Sequence, residues 1–277
     1  MRRLVLESIV KISNTTFIIT GASSGIGEAL SKKLAARGAN VVLAARNKSK
    51  LNQVHDKIQS SGGSSLVIPT DITDYNACKH LVKETILKFN QIDSLILNAG
   101  VSMWAFFDKI EDPIFFKNLM EINYTGAVNC VHTALPHLKR VRGSIVSITT
   151  AQAIMGFPAH SGYAASKHAL HGFLETLELE GQGSVHFSNI YLGWIKGTSL
   201  RQNAFGADGE KIGKSSHNHD GKAIDLDTCI KKIIQSIRKD KRQSFIPAKL
   251  KFIPFFNLFA RGWLHRKALK AVKDYEK

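Results

Sequence analysis

Short runs of apolar, β-branched residues alternate along this chain with longer stretches in which apolar positions recur every three to four residues. The first run, Thr15-Thr16-Phe17-Ile18-Ile19, predicts a buried strand. Behind it Ile26, Leu30, Leu34 and Ala35 fall on one helical face, and Gly38 stands where that helix should stop. The alternation continues with strands over 40–45, 65–69, 92–97, 143–148 and 185–192, and helices over 50–60, 74–89, 113–139 and 163–180, with Asp74 as an N-cap. Strands alternating with helices predict a parallel sheet covered on both faces, a doubly wound α/β fold in three layers, α/β/α. No internal repeat or linker interrupts the pattern. Residues 1–248 therefore read as one domain, and 249–277 as a C-terminal extension.

Composition narrows the class. With 44 % hydrophobic residues in 277, the chain can bury a substantial core. Cys78, Cys130 and Cys229 are scattered, odd in number and outside any metal-ligand spacing, so they read as reduced thiols in a cytoplasmic setting, with no metal site. No apolar run approaches the ~20 residues of a membrane-spanning helix. The basic start is interrupted by Glu7 and Lys11 and is not read as a signal peptide. A formal charge of +16 points to a polyanion: nucleic acid, an anionic membrane surface or a phosphorylated cofactor. Helix-turn-helix, zinc and RNA-binding signatures are all missing, which argues against nucleic acid.

The chemistry begins at Thr20-Gly21-Ala22-Ser23-Ser24-Gly25-Ile26-Gly27, on the turn from the first strand to the first helix. Gly21 allows a tight turn, Gly25 lets the backbone approach a ligand, and Gly27 lets helix pack on strand, as in a Rossmann-type dinucleotide site. Ser23, Ser24 and Ile26 lie in the same cradle, where the helix N-terminus offers N–H groups to a pyrophosphate. A purely structural turn is the competing reading. Where an NAD site carries an acidic residue, the second strand ends in Ala45 followed by Arg46, whose guanidinium suits a 2′-phosphate. That favours NADP(H) over NAD; Lys48 or Lys50 would share the role, and a solvated surface Arg is the alternative. Asp71 and Ile72 close the third strand beside an expected adenine, and Asn98, Ala99 and Gly100 close the fourth beside an expected ribose.

Tyr163 and Lys167 stand four apart in Tyr163-Ala164-Ala165-Ser166-Lys167 and so share a helix face. An ammonium nearby stabilises a phenolate, which would suit Tyr163 to proton exchange with a carbonyl or alcohol oxygen. Together with the glycine turn, Asn98-Ala99-Gly100 and Asn123 in Glu121-Ile122-Asn123-Tyr124-Thr125-Gly126, this order and spacing resembles the short-chain dehydrogenase/reductase family over residues 15–198. The resemblance implies NAD(P)-dependent hydride transfer between an alcohol and a ketone or aldehyde. It implies that Tyr163 is the acid/base, that Lys167 also holds the nicotinamide ribose, and that Asn123 holds a relay water. A homodimer or homotetramer is implied as well.

Two departures stand out. Thr150 replaces the family's catalytic Ser thirteen residues before Tyr163; it keeps the hydroxyl but adds a methyl, and Thr149 or Gln152 remain local alternatives. In Leu192-Gly193-Trp194-Ile195-Lys196-Gly197-Thr198, Leu192 stands where Pro is usual and Thr198 is one place late, so Ile195 is the firmer nicotinamide contact. Residues 199–223, rich in Gly, Asn, Ser, Lys and His, read as a substrate lid, with His217 and His219 as solvated loop residues. Trp104, Phe106 and Phe107 are either pocket lining or core. The extension mixes aromatics with cations from Lys249 to Lys267. It fits a membrane interface or packing on the core or a second subunit, and it resembles the hydroxysteroid and membrane-associated branch of the family. The expected activity is NADP(H)-dependent oxidoreduction of a hydrophobic carbonyl or alcohol, peripheral on a membrane or free in the cytoplasm. The alternative is a catalytically weak NADP-binding protein docked on a membrane or protein partner.

Overall fold

A computed structural model describes residues 11–213 and 223–273. The N-terminal stretch through Glu7, the middle of the expected lid, and His217 and His219 lie outside the described residues. Seven strands form one parallel sheet: β1 (Thr16–Thr20), β2 (Asn40–Ala45), β3 (Ser64–Pro69), β4 (Ser94–Leu97), β5 (Ser144–Thr150), β6 (His186–Leu192) and β7 (Gln243–Ile246). Their order across the sheet is β3-β2-β1-β4-β5-β6-β7.

The two-residue period of the strands divides the core between two faces. Phe17, Ile19, Val41 and Leu43 point to the side covered by helices α1 (Gly25–Ala35) and α2 (Lys48–Gln59). Ile18, Val42 and Ala44 point to the side covered by α3 (Tyr75–Phe89). Asp74 caps α3 as its sequence suggests, accepting from the N–H groups of Asn76 and Ala77. The long helical region expected over 113–139 is three pieces in one rod. A short α4 (Phe115–Met120) and a long α5 (Gly126–Val141) flank a single wide π turn at Glu121–Thr125. Helix α6 (Ser161–Gly181) then packs on the same face as α5.

Two elements extend beyond the sequence expectation. Helix α7 (Leu226–Arg238) buries Ile230, Ile233, Ile234 and Ile237 against the α1 side, and the four-residue β7 adds an edge to the sheet. All three cysteines are free and buried, and the Sγ atoms of Cys78 and Cys130 lie 3.7 Å apart between α3 and α5. After β7 the chain makes a 3-10 turn (Ala248–Phe252) and two further helices, α8 (Ile253–Phe259) and α9 (Arg261–Lys273). No helix among the described residues is long and apolar enough to cross a membrane.

The sheet order reverses direction between β1 and β4, which opens a crevice at the C-terminal ends of those strands. One buried hydroxyl ties its two sides. Thr20 Oγ1 donates to the Ile96 carbonyl at 3.1 Å and accepts the N–H groups of Asn98 and Ala99, each at 3.0 Å. Thr20→Val keeps the shape but leaves two N–H donors without that acceptor, at a cost of ~3 kcal/mol. The melting temperature should fall by roughly 5 °C in a thermal unfolding scan; an unchanged midpoint would show that the tie carries no weight.

Candidate active site

The glycine turn is shaped by what a side chain would strike. Gly21 and Gly25 adopt φ of +67° and +55°, the left-handed region that favours glycine. A Cβ on Gly21 would lie 2.9 Å from Ala99 Cα, and one on Gly27 would overlap the Gly21 carbonyl oxygen. The Asn98 amide fastens the turn from across the crevice, donating to the Thr20 and Gly21 carbonyls at 2.9 and 3.3 Å. Its side chain is thus committed to holding the turn. Ser24 is the N-cap of α1, yet its hydroxyl makes no capping bond, so an exposed donor stands at a helix N-terminus. Thr198, one place late in the sequence, comes to the same turn: its Cβ lies 3.7 Å from where a Gly25 Cβ would be. Ile195, in the same loop, pairs with Ile224.

At the end of β2, Arg46 is exposed and makes no hydrogen bond or ion pair among the described residues. It immediately precedes Asn47, the N-cap of α2, so it stands at a second helix N-terminus, with Lys48 and Lys50 in that helix's first turn. Asp71 spends one carboxylate oxygen on Thr73, N–H and hydroxyl at 3.0 and 2.8 Å. Ile72 is buried and its carbonyl receives Asn129.

Tyr163 and Lys167 project from the first turns of α6 and are both buried. The Lys167 ammonium lies 5.8 Å from the Tyr163 ring centroid. Burial acts on each against its charged form: it pushes the phenol well above its usual range and pulls the Lys167 amine down to about 8. Phenolate formation therefore needs positive charge brought to it. Gly100 keeps the space between open, since a Cβ there would lie 3.0 Å from Asn123 Oδ1 and 3.3 Å from Lys167 Nζ. Thr150 ends β5 with its Oγ1 accepting from the Gln152 N–H at 3.4 Å, while Thr149 is buried in the strand.

Asn123, in the π turn, has a fully engaged amide. Its Oδ1 accepts from Val101 N–H at 2.8 Å; its Nδ2 donates to the Val101 carbonyl at 2.8 Å and to Ser166 Oγ at 2.9 Å. Ser166 passes the thread on, donating to the Tyr163 carbonyl at 2.8 Å. Sequence reasoning missed this role of Ser166, although the residue stands inside the Tyr163 motif and only its neighbours drew attention. It also missed His160, for which no local signal exists. The His160 ring lies edge-on to Trp104 at 4.8 Å and 6.0 Å from the Tyr163 ring. Arg201 stacks on Trp104 at 4.3 Å. The described part of the segment expected as a lid is tied down: Phe205 N–H donates to the Ser102 carbonyl, and Trp104 N–H to the Phe205 carbonyl, both at 2.9 Å. Phe106 and Phe107 belong to neither core nor buried wall; Phe107 is 67 % exposed.

Burial holds His160 neutral, with its pKa lowered to about 4 from an ordinary 6.5. The unfolded chain therefore binds a proton that the folded chain refuses between those values, and stability falls as pH drops through this window. The full loss, below about pH 4, is roughly 3 kcal/mol. Urea unfolding from pH 7.5 to 4.5 should show this slope, and His160→Gln should remove it; an equal slope in the variant would mean that other groups cause it.

The sequence pattern of short chain dehydrogenases matches residues 15–208. Among curated relatives, an 11-beta-hydroxysteroid dehydrogenase 1A of Arabidopsis thaliana is 36 % identical over 196 residues, which is 70 % of this chain and 56 % of that protein. An 11-beta-hydroxysteroid dehydrogenase of Pinus massoniana is 36 % identical over 198 residues, 71 % of this chain and 56 % of that one. The match thus spans little more than half the length of these relatives. Among solved structures, a metagenomic short-chain oxidoreductase in complex with NADP aligns with a TM-score of 0.62 at 27 % identity, covering 66 % of this chain and 84 % of that one. An alcohol dehydrogenase from the archaeon Thermococcus sibiricus, complexed with 5-hydroxy-NADP, shares the fold with a TM-score of 0.71 at 22 % identity, covering 83 % and 94 %. On the pattern match over most of its length, this chain belongs to the short-chain dehydrogenase family.

Proposed function

We propose that this protein is an NADP(H)-dependent carbonyl reductase or alcohol dehydrogenase. Its substrate would be the carbonyl or secondary alcohol of a hydrophobic, lipid-, steroid- or retinoid-like molecule. The observation that carries the reading is a buried phenol and a buried amine on one helix face, at the sheet edge where the glycine turn lies. The residues present fit a dinucleotide. A cradle that a Cβ would fill at Gly21 and Gly27, an uncommitted Ser24 hydroxyl and an unpaired Arg46 are what a pyrophosphate and a 2′-phosphate require. Asp71, with one oxygen left, would accept from an adenine amino group, and Ile72, Ala99 and Gly100 would wall the adenosine and ribose. Ser23, Gly25 and Ile26 would meet the pyrophosphate, and Ile195 and Thr198 the nicotinamide side.

When bound, the cofactor supplies or takes the hydride and carries positive charge in its oxidised form. Tyr163 gives its proton to the carbonyl oxygen during reduction and takes one from the alcohol during oxidation. Lys167 holds the ribose and lends its ammonium to the phenol, countering the burial that keeps it protonated. The Thr150 hydroxyl aligns the substrate oxygen. With its amide committed, Asn123 would hold a relay water through its backbone carbonyl, in the widened π turn. The similarity to 11-beta-hydroxysteroid dehydrogenases supports a lipophilic substrate, and the family supports a homodimer or homotetramer. The acid-poor extension beyond residue 248, with exposed Phe255, Leu258 and Phe259, supports a peripheral membrane location.

Tyr163→Phe should leave NADPH binding intact and lower turnover of test ketones by at least ~100-fold, read as loss of NADPH absorbance. Turnover within a few-fold of wild type would remove Tyr163 from the acid/base role. Arg46→Asp should weaken NADPH roughly 10- to 100-fold in a fluorescence titration and improve NADH; an unchanged NADPH affinity would show that another group reads the phosphate. NADPH binding without turnover of any ketone, with activity appearing in Thr150→Ser, would favour a silent NADP-binding protein.

A further inference from the structure

From residue 241 to residue 273 the sequence has nine Lys or Arg and no Asp or Glu. Within this stretch α8 is inverted relative to an ordinary surface helix. It turns Ile253 and Phe256 inward, while Phe255, Leu258 and Phe259 are 56, 75 and 71 % exposed. Phe252 and Trp263 extend the same apolar surface. Cations border it: Lys251 sits over the Phe252 ring at 5.0 Å and Lys267 over Trp263 at 5.6 Å. Among the described residues, Lys249, Lys251, Arg261, Arg266, Lys267 and Lys270 form no ion pair.

The inner side of the same segment reaches the catalytic centre. Met155, Leu264 and Ala268 form a small buried core, packed by Phe157, Ile253 and Phe256, and Asn257 donates to the Ile154 carbonyl at 3.4 Å. Residues 154–157 belong to the loop between β5 and α6, which leads from Thr150 to Tyr163. A row of rings continues inward: Phe157 lies 5.4 Å from His160, and His160 lies 6.0 Å from Tyr163. On the other flank Pro247 and Leu250 would lie 3.1 and 3.5 Å from a Gly193 Cβ, two residues before Ile195. The segment thus clasps both loops that border the site.

We propose that the outward face of α8 and Trp263 docks on an anionic lipid bilayer, which brings the loop at 154–157, packed on the inner side of the same segment, close to the membrane so that a water-insoluble substrate enters the site from it. The oxidoreductase reading supplies the substrate's role, so this inference rests on it; the docking itself does not. Aromatic side chains bordered by cations fit acidic headgroups over an apolar interior. A protein partner or a second copy would have to bring acidic groups to the same place.

The test is co-sedimentation of the full chain with vesicles of phosphatidylcholine alone and of phosphatidylcholine with about one-third phosphatidylserine. Binding should favour the anionic vesicles and weaken with salt. It should fall roughly tenfold or more in Phe255→Ser with Phe259→Ser, and fall similarly on anionic vesicles in Lys251→Glu with Lys270→Glu, a pair that leaves the apolar packing intact. The serine variant should also raise the KM for a ketone dissolved in vesicles and leave kcat/KM for a water-soluble ketone unchanged. No binding to anionic vesicles at low salt would overturn the proposal. So would binding indifferent to both variants, or a dimer in gel filtration that the serine variant dissolves. Failure to bind vesicles while NADPH still reduces a soluble ketone overturns the docking alone. Vesicle binding with neither NADPH binding nor turnover overturns the oxidoreductase reading instead.

Discussion

The site depends on a single hydroxyl at the point where the sheet order reverses. Thr20 sits at the end of β1, and its oxygen takes two backbone N–H groups from the end of β4 while giving its proton to a third residue there. Asn98 returns the tie by holding two carbonyls of the glycine turn. The crevice is therefore braced on both sides by buried hydrogen bonds rather than by apolar packing. Such bonds fix direction as well as distance, and the turn that would meet a pyrophosphate needs both. The glycines do not create the cradle alone; they allow a shape that Thr20 and Asn98 then enforce.

Burial then sets the electrical character of the centre. The phenol of Tyr163 and the amine of Lys167 share a dry helix face, and dryness disfavours phenolate and ammonium alike. The phenol is thereby held protonated, and the amine gives up its proton more readily than an exposed lysine would. On the proposed reading, a cationic ring and a polar ribose would ease proton exchange at the phenol. Asn123 and Ser166 serve this arrangement from behind. They fasten the backbone carbonyl of Tyr163 to the strand-end loop at Val101, which anchors the start of α6 beneath the phenol.

Much of this was legible in the sequence because it is local. Six strands announce themselves as β-branched runs, and the glycine turn and the Tyr163–Lys167 spacing are decided within a few residues. What was missed is what needs tertiary contact or competes with a stronger neighbour. β7 is four residues long and polar at its start, so no alternation could mark it. Helix α7 carries four isoleucines at helical spacing, but it comes after an irregular, charged stretch that drew attention towards a lid. The π turn hides inside a pattern that reads as unbroken helix, because five residues are too few to show a period of their own. Thr198 looks displaced in sequence, yet the chain brings it back over Gly25, which only the folded loop reveals.

That π turn constrains the chain in a way its residue types do not. It is an α-helical turn with one residue added, and each residue of helix rotates the chain beyond it by about 100°. Gly126 stands directly after it, pressed so closely on Ile72 that a Cβ would lie 2.6 Å from the isoleucine. Trimming one residue from Glu121–Thr125 would swing Gly126 off Ile72 and turn the inward face of α5 away from the sheet. Exchanging a solvent-facing side chain within the turn leaves that phase untouched, whereas a deletion resets it for all sixteen residues of α5. The turn thus acts as an angular spacer, and its length matters more than its lettering.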